Sequence, residues 1–370
     1  MNRVKFPNRS HFQTDLNAQV DLYFENTQLP KTGTWKMFFK TGVILCALVA
    51  FYIGLVFYAN SYWAVALCGL GIAFAICLMG FNIMHDGAHG AYAQNPKLNW
   101  LMGFTLDLMG GSNYLWRQKH NFLHHTYTNI DQYDRDLQSS GLLCLSPDQE
   151  WRPFHRYQHL YALPLYGLHT IFWLLYRDFV AFFAGKVGPI KLRKPKWSET
   201  ILFFSGKTVA YTYTFMIPAF FHPIWKIALG FVLIHMILGI TLSVIFQLAH
   251  TTEGPTFPQP NVQTGHMKNA WAIHQVETTA NFANNNKLAA WCFGGLNFQI
   301  EHHLFPHICH IHYPALSKIV RQLCEKNGIT YHAYPTVRAA IKAHFKFLYK
   351  MAHTPGTTKE QPVEKKVLQG

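Results

Sequence analysis

No Asp, Glu, Lys or Arg occurs between Thr41 and His85. As one helix, that stretch would be about 68 Å long at about 1.5 Å per residue, roughly twice the hydrocarbon thickness of a bilayer. It therefore predicts two membrane spans, broken at the polar pair Asn60-Ser61. A second such unit runs from about Thr200 to Ala249, with Lys207 and Lys226 its only charges and a break at His222-Pro223. The expected fold is an all-α integral membrane protein with four transmembrane helices as two hairpins. Composition agrees: 14% of residues are charged, against about 25% in a soluble protein.

Charge sets the expected orientation. Thirty of the 32 Lys and Arg lie in segments 1–40, 84–200 and 250–370. All three fall on one side if each hairpin closes on the other. By the positive-inside rule that side is the cytoplasm, and with it the N- and C-termini. The chain then divides into a cytoplasmic N-terminal segment (1–40), a first hairpin (41–84), a cytoplasmic region (85–199), a second hairpin (200–250), a further cytoplasmic region (251–353) and a polar, disordered tail (354–370). The net charge of +14 suits anionic partners such as lipid head groups or a phosphate-bearing substrate. Nucleic acid is not expected, because the basic residues flank apolar runs and no nucleic-acid motif is present.

The cytoplasmic segments are too large to be loops, which predicts a helical cap. Ser10 and Gln13 form a capping-box pattern ahead of Phe12, Leu16, Val20 and Tyr23 at helical spacing. Residues 157–184 are apolar and aromatic but hold His169, Arg177 and Asp178, which predicts an interfacial helix. Arg338, Lys342, Lys346 and Lys350 recur every four residues opposite Val337, Ile341, Phe345 and Leu348. That pattern serves equally as a membrane-surface helix or as the solvated face of a packed one. The seven cysteines are odd in number and include no Cys-x-x-Cys pair, so they read as reduced thiols. About forty polar or mixed residues precede the first span, so no cleavable leader is expected.

The chain holds 22 histidines, and they cluster. One group is His85-Asp-Gly-Ala-His89, where the second span ends. Another is His120-Asn-Phe-Leu-His124-His125. The third is Gln299-Ile-Glu-His302-His303, and His250 stands at the end of the last span. Residues four apart share a helix face, so His85 with His89 and His120 with His124 can converge on a metal, with His125 turned about 100° further. Eight imidazoles are too many for one four-coordinate zinc, which points to two metals. Imidazole suits iron, copper, nickel and zinc, so the ligands alone do not choose the element. His155 and His159 also sit four apart, but their surroundings read as surface. His235 lies mid-span and should bond or pack against another helix. His307, His310 and His312 follow the third cluster, and one of them could be a ligand or support one; His274 is similar.

The segments HDGAH, HNFLHH and QIEHHLFP resemble the three histidine boxes of membrane fatty acid desaturases, over nearly the whole chain from Phe6 to Tyr349. The Gln of the third box is similar to that of the front-end and linoleoyl-type acyl desaturases. The resemblance implies a di-iron site held by His85, His89, His120, His124, His125, His250, His302 and His303, with the cap carrying it. It also implies an acyl tunnel and oxygen-dependent removal of hydrogen from adjacent methylenes, leaving a cis double bond. O2 would be the co-substrate, and a fatty acyl-CoA or acyl-lipid the substrate. Gln299 stands where related acyl-CoA desaturases have a histidine. No His-Pro-Gly-Gly haem motif occurs, so electrons are expected from a separate ferredoxin or cytochrome b5.

Further cofactor-site residues are expected near the boxes. Asp86, Asp131, Asp134, Asp136 and Glu301 could orient imidazoles. Arg117 and Lys119, beside the second box, are the head-group candidates among a wider basic set that includes Arg152, Arg156, Arg193, Lys194 and Lys196. Three other functions remain open from the residues. A di-iron lipid or alkane hydroxylase would use the same ligands. A zinc membrane hydrolase would leave most histidines idle, and no His-Glu-x-x-His motif supports it. A metal transporter would need more ionisable groups within the spans than Lys207, Lys226 and His235.

Overall fold

The structure is a computed structural model that describes residues 4–188 and 190–353, so the expected disordered tail lies outside the described residues. The described chain is mostly helical, with a few two-residue strands. Helix α1, His11–Thr27, opens on Ser10, whose hydroxyl accepts from the Gln13 N–H at 3.3 Å. Its buried stripe is Phe12, Leu16, Val20 and Phe24; Phe24, not Tyr23, takes the fourth place.

Helix α2, Trp35–Tyr58, and helix α3, Tyr62–His89, are long and apolar enough to cross a membrane. The break between them falls at Asn60-Ser61 as the sequence requires, and the Ser61 hydroxyl accepts from the Ala64 N–H at 3.2 Å. Helix α3 passes through a π-helical turn at Gly80–Met84 and carries His85 and His89 in its last turns. Its 28 residues span about 42 Å, more than the roughly 30 Å of the hydrocarbon core, so its histidine end can stand clear of the lipid.

Helix α4, Pro96–Leu108, packs on that end. A Cβ at Gly87 would lie 2.6 Å from the Gly103 nitrogen, so the first histidine cluster keeps a glycine because two backbones meet there. A short helix α5, Asn113–Arg117, leads into a wide π-helical turn, Gln118–His124, that holds the second cluster.

Helix α6 runs Gln158–Phe172 and continues through Trp173–Arg177 to Asp178–Ala184. It exposes Leu160, Leu163, Phe172, Tyr176 and Phe183. Its other face packs along a membrane helix further on in the chain. Helix α7 runs Trp197–Tyr211 and continues through Thr212–Met216 to Ile217–Ala219. Its Lys207 is buried, donating to the carbonyls of Gly110 at 2.6 Å and Leu174 at 2.9 Å and pairing with Asp178 at 3.3 Å. That is how a lysine is tolerated in an apolar helix: every donor has an oxygen.

Helix α8, Ile224–His250, starts at Pro223 and is the third helix long and apolar enough to cross a membrane among the described residues. The α6–α8 contact is close because Gly167 faces Gly239, where a Cβ would meet the Gly167 carbonyl oxygen at 2.5 Å. Thr170 and His235 bond across it at 3.1 Å, which gives mid-span His235 the partner it needs.

The remaining helices are α9 (Trp271–Glu277), α10 (Lys287–Cys292), α11 (Gln299–Leu304), α12 (Tyr313–Lys326) and α13 (Val337–His353). Helices α1, α9 and α12 wrap α11 in one apolar cluster built on Phe12, Leu16, Val276, Ile300, Leu304 and Val320. A parallel pairing of Asn281 with Ala333 and Phe282 with Tyr334 ties the approach to α11 to the approach to α13. The third histidine cluster is thereby fixed from all sides.

Candidate metal centre

Four imidazoles, from His85, His89, His120 and His302, offer nitrogens within 4.8 Å of one another. A second set, His124, His250 and His303, does the same. Nitrogens sharing an ion at about 2.1 Å lie up to about 4.2 Å apart, so each set has close to the spacing one metal requires. His125 stands between the sets, its ring centroid 4.5 Å from that of His302 and 4.4 Å from that of His303, with its Nε2 3.2 Å from His120 Nε2. All eight histidines are buried. The end of α3, the π-turn after α5, the end of α8 and the middle of α11 thus converge at one place.

The bonding of the two nitrogens of each ring is unequal. His124 Nδ1 meets Asp134 at 3.0 Å. His303 Nδ1 meets Gln275 Oε1 at 2.8 Å, and Thr128 Oγ1 lies 3.2 Å away. His250 Nδ1 points to the Thr278 carbonyl at 3.3 Å, and His302 Nδ1 to the Tyr313 hydroxyl at 3.3 Å. By contrast, the Nε2 atoms of His89, His250, His302 and His303 are buried with no protein partner. A proton fixed on Nδ1 by a carboxylate or carbonyl leaves the Nε2 lone pair free, which is how metal-bound histidines are held. Orphaned buried nitrogens are costly in an ordinary core. A pair of metal ions would satisfy them.

Burial, and after it the neighbouring imidazoles, push His120, His125, His302 and His303 well below the usual histidine range. They remain neutral, the form that binds metal. His124 differs: burial lowers it, but the Asp134 and Asp136 carboxylates outweigh that and hold the metal-free ring at about 9, so an ion would displace the Nε2 proton while Asp134 keeps the one on Nδ1. Asp136 lies 3.6 Å from His124 Nδ1 and 3.8 Å from His120 Nδ1.

The acidic candidates separate clearly. Asp134 and Asp136 face imidazoles, whereas Asp131 accepts from Gln138 at 3.3 Å. Asp86 turns from the clusters to His310 Nδ1 at 2.7 Å and Cys309 Sγ at 3.0 Å, and the Lys40 ammonium lies 3.4 Å from His310 Nε2. Glu301 accepts from Asn281 at 2.7 Å and Tyr331 at 2.9 Å. Burial pushes it up to about 7 against those bonds. Its carboxylate braces α11 instead of an imidazole. Gln299 is buried at the start of α11.

His155 corrects the expectation of a surface position. It is buried, with Nδ1 accepting from the Arg152 N–H at 3.0 Å and Nε2 at 2.9 Å from the Gly141 carbonyl. His159 leans on Tyr349 and His353. Neither reaches the clusters. His274, His307 and His312 bond backbone carbonyls of Thr128, His89 and Thr32. Arg117 is exposed, and the half-buried Lys119 lies 5.4 Å from the Trp173 ring centroid. Gln275, Thr128, Thr278 and Tyr313, which hold the imidazoles, carried no sequence signal, because single polar residues far apart in the chain have no spacing to read.

Beside His85, a cavity of about 310 Å³ runs between α2, α3, α6, α7 and α8. Its walls are largely apolar, with Ile76, Leu106, Trp116, Phe231, Leu238 and Phe246 among them, and it extends as far as His222 and Lys226 at the start of α8.

Comparison with known proteins gives a consistent answer. Residues 60–335 match the family model for fatty acid desaturase. An sn-1 linoleoyl-lipid 6-desaturase of Synechocystis sp. is 37% identical over 94% of this chain and 98% of its own length. Its namesake in Arthrospira platensis is 36% identical over 96% of each chain. An acyl-lipid (8-3)-desaturase of Physcomitrium patens is 35% identical over 93% of this chain and 72% of its own length.

Proposed function

This chain belongs to the fatty acid desaturase family, and from that premise we propose that its eight clustered imidazoles hold two iron ions beside a cavity that takes the acyl chain of a membrane glycerolipid. The protein is a membrane fatty acyl desaturase, an oxidoreductase of lipid metabolism, and the hydrolase and transporter readings fall away with that. The observation that carries the metal assignment is the set of buried, unpartnered Nε2 atoms on His89, His250, His302 and His303. The ligands in this reading are His85, His89, His120 and His302 for one ion, and His124, His250 and His303 for the other, with His125 reaching either.

Iron with dioxygen supplies the oxidant that an unactivated C–H bond needs. The chain's own residues bind, orient and exclude water. Asp134, Gln275, the Thr278 carbonyl and Tyr313 fix the ring planes. The apolar walls from Ile76 to Phe246 keep water from the methylenes and hold the chain extended beside His85. In this reading Arg117 and Lys119, beside the second box, meet a phosphate of the head group. A glycerolipid is preferred over a CoA ester because the names of the Synechocystis and Arthrospira relatives are lipid-linked ones, and they point to the 6-position of a linoleoyl chain.

In the same reading α7, with its continuation to Ala219, is the third of four spans; its carbonyl-bonded Lys207 is no obstacle to that placement. The spans pair as 41–84 and 200–250. The termini, the cap of 85–199 and 251–353, and the metal centre then lie on the cytoplasmic side, where thirty of the 32 basic residues would sit. Two electrons per turnover come from a separate ferredoxin or cytochrome b5.

The test is gas chromatography–mass spectrometry of lipids from a host expressing the chain and fed oleate and linoleate. A new double bond at the 6-position of glycerolipid-bound linoleate is expected. A hydroxylated product would move the assignment to a hydroxylase, and activity on the CoA ester alone would overturn the lipid reading. Gly80 lines the cavity, and a Cβ there meets nothing within 4 Å. Gly80→Leu should therefore obstruct the chain and cut turnover about tenfold without lowering metal content.

A further inference from the structure

Helix α13 presents two unlike faces. Its apolar side, with Ala340, Ala343, Phe347, Leu348 and Met351, is buried in the protein. Arg338, Lys342, Lys346 and Lys350 are all exposed on the other side. Glu253, 3.6 Å from Lys346, is the carboxylate paired with this stripe. The turn Pro153–Tyr157, on which α13 packs, adds the exposed Arg156. An interfacial helix shows lipid an apolar stripe between its charges. Here that stripe is buried inside the protein, and the exposed large apolar side chains beside the charges are Tyr349 on the helix and Phe154 and Tyr157 on the turn. A charged face of this kind complements an acidic protein surface.

The buried side of the same helix leads to the metal centre. His344 is fully buried; its Nε2 meets the Tyr166 hydroxyl at 2.9 Å, and its Nδ1 meets the Thr251 carbonyl at 2.7 Å. Thr251 is covalently joined to His250, whose Nε2 faces His124 and His303. A helix with its side chains is about 10–12 Å across. The basic face is therefore about one helix width from an imidazole bonded to the backbone of Thr251, the residue that follows candidate ligand His250.

The reaction needs such a route. Converting two methylenes to a double bond releases two electrons and two protons. Reducing one O2 to two waters consumes four of each. The remaining two electrons and two protons come from outside the substrate. We infer that the basic face of α13, with Arg156, is the docking surface for an acidic one-electron carrier protein, and that His344 and Thr251 carry its electrons towards His250. The inference rests on the desaturase reading for its chemistry and on α13 for its location.

The test uses the full chain in nanodiscs of neutral zwitterionic lipid, with a plant-type ferredoxin and a soluble cytochrome b5 domain as probes. Binding is read by biolayer interferometry, which needs no turnover. Donor reoxidation is read by stopped-flow absorbance. At least one probe should bind, and the affinity should fall with salt. The combined change Lys342→Glu, Lys346→Glu, Lys350→Glu should weaken binding more than about tenfold. The same charge change at Lys287, Lys318 and Lys326 should leave binding within about twofold. His344→Phe should bind the donor normally yet slow its reoxidation. Equal donor binding by the α13 variant and wild type would overturn the docking surface. If that variant instead lost only its attachment to vesicles containing phosphatidylglycerol, α13 would be a lipid contact. Unchanged reoxidation in His344→Phe would overturn the route. Specific donor binding without any lipid product would sink the desaturase reading and leave the docking surface standing.

Discussion

The pairs His120–His124 and His155–His159 have the same spacing and opposite fates. At His120 and His124 the rings face other imidazoles, with Asp134 fixing His124 from behind. At His155 both nitrogens are taken up by backbone, and His159 packs on a tyrosine and a histidine of α13. Spacing puts two rings on one helix face. The partner behind Nδ1 and the company in front of Nε2 decide whether they can bind metal.

That contrast can be broken by substitution. The largest effect is expected at the rings themselves: His124→Ala or His302→Ala should lower product more than about a hundredfold, while the protein still inserts in membranes. Normal product from either would contradict the assignment. Asp134→Asn removes the carboxylate behind His124, and metal affinity measured by chelator competition should drop about 10- to 100-fold. Gln275→Leu, behind His303, should act in the same way towards the lower end of that range; wild-type metal retention would show that the amide does not orient the ring. His155→Ala should cost about 1–3 kcal/mol of stability through two lost buried hydrogen bonds. That is seen as a lower melting temperature, with metal content per folded chain unchanged. His159→Ala should be nearly silent in product and metal alike, and loss of product there would mean the wrong pair had been chosen.

Much of this was legible in the sequence because it is periodic or contiguous. The break at Asn60-Ser61, the Pro223 start of α8, the Ser10 cap and the three histidine clusters all rest on local spacing, and each stands in the structure. What the sequence left unread is the contact between distant residues. Asp86 sits inside the first box yet turns to His310, and Glu301 sits inside the third yet braces Asn281 and Tyr331. Neither direction follows from position in a motif. Burial of His155 depends on Gly141 and Arg152, and the α6–α8 approach depends on two glycines more than seventy residues apart.

The most direct test of the central claim is metal analysis of the purified protein by inductively coupled plasma mass spectrometry, for wild type and His250→Ala. Two ions need two ligand sets, so about two irons per wild-type chain are expected. About one is expected in the variant, which keeps the His85, His89, His120 and His302 set whole. A single zinc in the wild type, or iron content unchanged in the variant, would contradict it.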